Sequence, residues 1–126
     1  MRTVVIVFDV LPADVEAMTA IATATARHTL EREGGCVRFE VHQDLYNLRY
    51  SLIQQFIGED AYRAHTATPY AAEFNRRAAE LIIPSSRTII EAETEDPPHD
   101  FHRTQTLDRL DQRHPGGDPT GPAGLR

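Results

Sequence analysis

The chain has 126 residues, of which 40% are hydrophobic and 25% are charged, and its formal net charge is −6. That length suits one domain, and that composition is typical of an ordinary globular protein. The acidic balance argues against a nucleic-acid partner, which usually calls for a basic stripe, and the longest apolar runs, such as residues 4–8, fall far short of the roughly 20 residues that span a bilayer.

The first predicted elements are a strand and a long helix. Residues 3–10 are mostly β-branched and apolar, which favours a strand. Pro12 suits the first turn of the helix that follows, and Gly34 with Gly35 predicts where that helix stops. Apolar or small side chains recur between them at steps of three or four residues, which indicates one buried helix face: Val15, Met18, Ala22, Ala26 and Leu30.

A hairpin is predicted next. Residues 36–43 and 48–57 both alternate between apolar and polar side chains, and residues 44–47 supply a turn between them. An even-numbered turn centred on Leu45 and Tyr46 would fix the register. It would pair the following residues across the two strands: Val41 with Tyr50, Phe39 with Leu52, and Val37 with Gln54.

Two helices and a strand complete the periodic part of the chain. Residues 58–66 predict a short helix, and Thr68 with Pro69 predicts the cap and first position of another. That helix would bury Ala71, Phe74, Ala78 and Leu81 and end at Pro84, before a last strand over residues 87–93. The order β-α-β-β-α-β predicts an α+β, ferredoxin-like fold with an antiparallel sheet and all the helices on one face.

The chain divides into two parts by composition. Residues 1–94 carry the periodic pattern and are predicted to fold, whereas residues 95–126 are rich in proline and glycine and have few large apolar side chains. Such a segment cannot bury enough apolar surface to offset its ordering entropy, so we expect a disordered tail. The single cysteine, Cys36, cannot form an intramolecular disulfide, which fits a cytoplasmic location.

One face of the predicted sheet is left without helices. Ile53, Ile57 and either Ile89 or Ile90 would lie there in water. A second copy of the chain is the economical cover for such a surface, so we expect a homodimer.

Several residues between positions 35 and 80 resemble the antibiotic biosynthesis monooxygenase superfamily. They are Gly35-Cys36, Phe39, Gln54, Phe56, the run Ala61-Tyr62-Arg63-Ala64-His65, and Pro69. The resemblance implies a dimeric α/β barrel. Its members include cofactor-free quinol and anthrone oxygenases, haem-degrading enzymes, an isomerase and proteins without known activity.

This sequence departs from the family pattern at two positions. Gln54 stands where the family usually has an acidic residue, and Phe56 stands where it usually has tryptophan. Because the chain has no tryptophan at all, the haem-degrading branch and tryptophan-assisted oxygenation are disfavoured.

One face of the hairpin could line a pocket for a flat aromatic ligand. It combines aromatic walls with two polar side chains, Tyr50 and Gln54, and a plain core beneath the helices would have the same pattern. The opposite face carries polar side chains on both strands, which favours a cross-strand charge ladder at a dimer interface: Arg38, Glu40, His42, Arg49, Ser51 and Gln55. The predicted substrate-binding residues are Phe39, Asn47, Phe56, Tyr62 and Phe74.

His65 is the predicted catalytic base. Its imidazole can take a proton from a phenol or an activated C–H near neutral pH, although a histidine at a helix end can equally serve to stabilise the helix terminus. Tyr50 and Gln54 would orient the substrate. We see no convincing metal-binding motif and no dinucleotide or phosphate loop, and therefore expect neither a metal nor a cofactor.

The sequence leaves three functions open. The first is a cofactor-independent monooxygenase that oxidises an anthrone, hydroquinone or polyketide phenol with O₂. A non-oxidative cyclase or isomerase would use the same base and walls but would consume no O₂. A non-catalytic ligand- or partner-binding module would have a filled pocket with no space beside His65.

Overall fold

The structure is a computed structural model that describes residues 1–44, 46 and 48–93. Its strands are β1 (Arg2–Asp9), β2 (Cys36–Asp44), β3 (Arg49–Phe56) and β4 (Thr88–Glu93). Its helices are α1 (Val15–Arg32), α2 (Glu59–Thr66) and α3 (Pro69–Ala78), with 3₁₀ turns at Pro12–Asp14 and Pro84–Ser86. The predicted tail lies outside the described residues. No helix in the described part is long and apolar enough to cross a membrane.

The four strands form one antiparallel sheet in the order β2-β3-β1-β4. This arrangement confirms the predicted α+β, ferredoxin-like fold. Val4 and Phe8 on the central strand β1 are fully buried, which places the helices over that side of the sheet. We call this side the inner face, and the opposite side the outer face.

The helix α1 buries a face slightly different from the predicted one. Met18, Ala22 and Ala26 are buried as expected, but Leu30 is 48% exposed and Thr29 is buried in its place. Steps of four residues turn the helix by about 40° more than a full turn, so a run of such steps drifts off the buried face. The Thr29 hydroxyl is satisfied inside by donating to the Thr25 carbonyl at 2.7 Å.

The predicted hairpin register is wrong by two residues. Asp44 pairs with Arg49, so residues 45–48 connect the strands. The observed pairs are Phe39 with Gln54, Val41 with Leu52, and Gln43 with Tyr50. Because side chains alternate with a period of two, a shift of two keeps each one on its predicted face.

A β-bulge at Val37 changes the end of this hairpin. The register shifts between Cys36 and Arg38, so that Cys36 pairs with Phe56. The buried Cys36 thereby takes the inner-face place predicted for Val37. Leu48, predicted to lie in the strand, instead precedes it with a positive φ of 56°.

The helix α3 ends at Ala78, six residues before Pro84. The chain turns there because Ile82 forms an isolated bridge with Val10, and the Ile83 N–H donates to the Asp9 carbonyl at 2.9 Å. These contacts with the end of β1 and with Val10 require an extended backbone at Ile82 and Ile83. The helix α3 therefore cannot continue to Pro84.

The outer face carries the exposed isoleucines that the sequence predicts. Val5 pairs with both Ile53 and Ile90, so Ile90, and not Ile89, lies on this face. Ile90 is 53% exposed and Ile57 is 62% exposed, while Ile53 is half-buried. The described residues of the chain therefore leave an apolar strip uncovered.

The two glycines after α1 do not form the left-handed cap that their position suggests. The helix ends with Glu33 in an extended conformation (φ −119°), and neither Gly34 nor Gly35 has a left-handed φ. Gly35 is instead needed for close approach, because a Cβ there would lie 2.6 Å from the Ala61 Cβ of α2.

We predict that Gly35→Ala destabilises the protein and that Gly34→Ala does not. The added methyl group at position 35 must push α2 away, and overpacking of this kind typically costs about 1–3 kcal/mol. A methyl group at position 34 meets no atom within 4 Å. Urea denaturation of both variants gives the comparison, and equal stabilities would contradict the close approach of α2.

Candidate functional site

His65 is buried among aromatic rings at the end of α2. It is 6% exposed, and its ring centroid lies 5.1 Å from that of Phe56 and 6.1 Å from that of Phe39. Tyr62, three residues earlier on the same side of the helix, lies 5.3 Å from Phe56. The structure thus brings together four of the predicted site residues.

The His65 ring is hydrogen-bonded to a residue that the sequence did not predict. Its Nδ1 lies 3.0 Å from Oε2 of Glu33, which directly follows α1. The Tyr70 hydroxyl, near the start of α3, donates to the same carboxylate oxygen. We call His65, Glu33 and Tyr70 the Glu33 junction.

No local pattern in the sequence points to the Glu33 junction. Glu33 is separated from His65 by 32 residues and from Tyr70 by 37, and its place beside two glycines suggested only a helix end. Tyr70 shares a helix with Phe74 but showed no separate signal. Only the packing of α1 against the later helices brings these groups together.

Tyr70 stays protonated in this setting. Burial, followed by the hydrogen bond to the Glu33 carboxylate and its charge, raises the pKa of Tyr70 to about 12. Two further side chains pack on its ring: the Arg32 guanidinium lies 5.7 Å above the centroid, and His28 contacts it edge-on at 5.8 Å. His28, on α1, is half-buried against this ring.

Tyr62 is held from the side of β1. The Arg2 guanidinium lies 5.1 Å from the centre of its ring and also pairs with Glu91 at 3.1 Å. Burial, together with the charge of Glu91, raises the pKa of the Tyr62 hydroxyl although Arg2 opposes the shift. Tyr62 therefore forms a neutral aromatic wall beside Phe56.

Gln54 is a buried amide that has no hydrogen-bond partner within the described part of the chain. It is 4% exposed and lies in register between Val4 on β1 and Phe39 on β2. Among the described residues, no group makes a hydrogen bond with its side chain. A buried polar group left unpaired costs about 1–3 kcal/mol, so this position calls for an explanation such as a water molecule or a ligand.

Tyr50 does not join this cluster. It is fully buried, stacks on Phe8 at 5.5 Å, and belongs to the separate core that contains Met18. Its hydroxyl donates to the Val15 carbonyl at 2.9 Å and lies 2.6 Å from Thr19 Oγ1. The hydrogen that Tyr50 would offer a substrate is thus already used within the core.

The remaining predicted wall residues lie elsewhere. Phe74 lines a cleft of about 330 Å³ between α3 and β1, and neither His65 nor Gln54 is among its lining residues. Asn47 lies outside the described residues. The lining of the cleft is mostly apolar, with Arg87 and Asn75 as its polar members: Ile6, Phe8, Phe74, Asn75, Ala78, Ala79, Ile82, Pro84 and Arg87.

On the outer face, Arg38, Glu40 and His42 form ion pairs along the single strand β2, whereas the sequence predicts a ladder across the two hairpin strands. Arg38 Nε and His42 Nε2 lie 2.7 Å and 2.8 Å from the two carboxylate oxygens of Glu40. Burial alone would favour the neutral carboxyl group, but the hydrogen bonds from His42 and Arg38 outweigh it and hold the pKa of Glu40 at about 2. Glu40 is therefore ionised at neutral pH beside the apolar strip.

The described residues contain no group of three or more histidine, cysteine, aspartate or glutamate side chains that could hold a metal ion. The arrangement around His65 offers a different chemistry. A buried imidazole, a carboxylate on one of its nitrogens, aromatic surfaces and a free amide together suit proton transfer on an aromatic ligand.

Solved structures of similar fold come from several organisms. A candidate antibiotic biosynthesis monooxygenase from Nitrosomonas europaea is 18% identical, with a TM-score of 0.69 over 75% of this chain and 99% of that one. A second candidate from Deinococcus radiodurans is 16% identical, with a TM-score of 0.70 over 79% and 97%. A conserved protein from Methanosarcina mazei is 20% identical, with a TM-score of 0.68 over 75% and 92%.

These identities are low, so the structural likeness shows the fold alone. No curated protein matches the chain. The model of the antibiotic biosynthesis monooxygenase family, in contrast, matches residues 1–77, which is more than half of the sequence. The chain therefore belongs to the antibiotic biosynthesis monooxygenase family.

Proposed function

We propose that this protein is a cofactor-independent monooxygenase that oxidises an electron-rich aromatic compound with O₂, in secondary metabolism. The substrate class is an anthrone, a hydroquinone or a polyketide phenol. The observation that carries the proposal is the buried His65 between aromatic rings. The neighbouring strand presents the buried amide of Gln54, which is unpaired as far as the described residues extend. Membership of the family supports the reaction class.

The reaction needs a base and a dry site more than it needs a prosthetic group. Removing a proton from an anthrone gives a delocalised carbanion, which can pass one electron to O₂. The resulting radical pair combines to a peroxide, and loss of water from the peroxide gives the quinone. The substrate supplies the electrons, so one oxygen atom enters the product and the other leaves in water.

Each side chain of the cluster has a role in this scheme. His65 takes the substrate proton and returns it to the departing hydroxide. Phe39, Phe56 and Tyr62 supply aromatic surface for the rings of the substrate and exclude water. Gln54 donates to an oxygen of the substrate, which would explain why no described residue hydrogen-bonds its amide.

Three predicted residues have a weaker place in the scheme. The hydroxyl of Tyr50 is committed to α1, so we do not assign it a role in the reaction. Phe74 stays a predicted wall residue, because it lines the separate cleft. Asn47 stays a predicted substrate contact.

The protein acts as a homodimer in this proposal. The outer face carries a strip of exposed and half-buried apolar side chains, with Ile53, Val5 and Ile90 side by side across three strands. An apolar strip next to an ionised, paired Glu40 is typical of a surface that a second copy covers, since it combines a hydrophobic area with a fixed polar rim.

We predict that the purified protein consumes O₂ with an anthrone or hydroquinone without added flavin or metal, and that EDTA does not inhibit it. His65→Ala should lower turnover by about 10²–10⁴-fold, the usual effect of losing a general base. The matched control is His114→Ala, since His114 belongs to the predicted tail, residues 95–126. An oxygen electrode measures both variants.

Unchanged turnover in His65→Ala would remove the assigned base. If no anthrone or quinol is oxidised but such compounds still bind, the non-oxidative cyclase or isomerase, or the binding module, becomes the better assignment.

We predict that Gln54→Met stabilises the protein while weakening its activity. The methionine has a similar volume and removes a buried amide that has no partner, so the free energy of unfolding should rise by about 1 kcal/mol. The neighbouring Gln55→Met is the control, because Gln55 donates to Thr3 Oγ1 at 3.1 Å and its loss should not stabilise the fold. A loss of stability in Gln54→Met would show that the amide is satisfied without a ligand.

We predict a dimer of about twice the 14.2 kDa chain mass in sedimentation at micromolar concentration. Ile90→Glu should convert the dimer to a monomer, because it places a charge in the apolar strip of the outer face that the dimer would bury. Leu30→Glu is the control, since Leu30 is equally exposed but lies on α1. A wild-type monomer with a native fold would contradict the dimer.

A further inference from the structure

The Glu33 junction places an acceptor on one nitrogen of a buried histidine. We propose that Glu33 is the positioning residue of His65: it holds the hydrogen on Nδ1 and leaves Nε2 as the atom that takes the proton of a substrate. The catalytic consequence rests on the proposed function, whereas the assignment of the tautomer does not.

The hydrogen-bond partners determine where the hydrogen lies. A neutral imidazole has one N–H and one lone pair, and the partner of each nitrogen decides which is which. Glu33 Oε2 lies 3.0 Å from Nδ1, and this oxygen already accepts a hydrogen bond from the Tyr70 hydroxyl, so it is an acceptor. The Nδ1 atom must therefore donate.

Tyr70 strengthens the case that Glu33 Oε2 is an acceptor. The Tyr70 hydroxyl donates to this oxygen, and the high pKa of Tyr70, caused by burial and by Glu33, keeps that hydrogen in place. An oxygen that already accepts from a hydroxyl presents its remaining lone pair to Nδ1.

The carboxylate is itself fixed by the backbone around it. The Glu33 N–H donates to the Thr29 carbonyl at 2.9 Å, and the Glu33 carbonyl accepts from the Cys36 N–H at 3.1 Å. On the other side, Thr68 Oγ1 donates to the His65 carbonyl at 2.8 Å. Hydrogen bonds therefore fix the main chain of Glu33 and the main chain of His65.

The aromatic surroundings keep the ring in this orientation. Phe56, Phe39 and Tyr70 lie at 5.1, 6.1 and 6.4 Å from the His65 ring. A flipped ring or the other tautomer would set a lone pair or a C–H against the Glu33 carboxylate. Among the described residues, no group hydrogen-bonds Nε2, which leaves its lone pair available.

The pairing also has a consequence after proton transfer. When Nε2 takes a proton, the positive imidazolium lies directly beside the Glu33 carboxylate, and the charge is compensated inside the protein. His65 can then hold the proton until the oxygen leaving group accepts it. Glu33 acts through His65 and does not itself touch the substrate.

The test is the protonation of each His65 nitrogen, measured by long-range ¹H–¹⁵N correlation on full-length protein labelled with ¹⁵N-histidine. Spectra are recorded in alkaline buffer, where the ring is neutral, and His65→Ala assigns the signal. We expect a protonated Nδ1 and an unprotonated Nε2 in the wild type. A protonated Nε2 in the wild type would overturn the inference, whatever the variants do.

Three variants separate a positioning role from a purely structural one. Glu33→Leu removes the acceptor and should shift His65 towards the Nε2–H tautomer, whereas Glu33→Gln keeps an acceptor oxygen and should retain Nδ1–H. The control Glu31→Leu, at an exposed position in the last turn of α1, should leave the tautomer unchanged. A folded Glu33→Leu that keeps the wild-type tautomer would also overturn the inference.

Oxygen uptake then tests the proposed function separately. Glu33→Leu should lower kcat by about 10- to 10²-fold with little change in KM. This decrease is smaller than the one expected for removal of the base itself in His65→Ala. If the tautomer is as expected but no substrate is oxidised by the wild type, the proposed function fails and the assignment of Glu33 stands.

Discussion

The Glu33 carboxylate joins the ends of the three described helices. Glu33 follows α1, His65 lies in the last turn of α2, and Tyr70 lies in the first turn of α3. A mostly buried carboxyl group is stable only when it is hydrogen-bonded, and the partners of Glu33 come from the two other helices, so the three helix ends must meet to satisfy it. The same requirement places His65 against Phe39 and Phe56 on the sheet.

Because all three helices pack on one side of the sheet, its two faces differ in character. The inner face of the sheet contains two apolar clusters, one around Tyr50 and Leu52 and the other around Phe39 and Phe56. Gln54 lies between Leu52 and Phe56 on β3, between these clusters. The outer face keeps an apolar strip and the ion pairs along β2, which the proposed dimer would bury.

The sequence predicted the order of the elements and the faces of the strands well. Both depend on local features: alternation at a period of two, helical spacing, and the prolines at positions 12 and 69. The hairpin register was missed because it depends on how many residues form the loop and on the bulge at Val37. The shift by two still left Phe39, Gln54 and Phe56 on the inner face.

The candidate site was only partly predictable from the sequence. His65, Gln54, Phe56 and Tyr62 stand in a recognisable family pattern, and their side chains do lie near one another or along the same face. Glu33 could not be found, because its contact with His65 spans 32 residues and arises from tertiary packing alone. Tyr50 was expected to face a ligand. Its position in the strand pattern does not reveal that its hydroxyl donates to a carbonyl of α1.

The central claim is that a ligand binds between His65 and Gln54, and binding can be measured without turnover. The most direct measurement is an anaerobic titration of ¹⁵N-labelled protein with an anthrone, followed by the side-chain signals of both residues. The account predicts saturable shifts of the Gln54 amide group and of His65 Nε2. Shifts confined to the cleft under α3, around Phe8 and Phe74, with both side-chain signals unchanged, would contradict it.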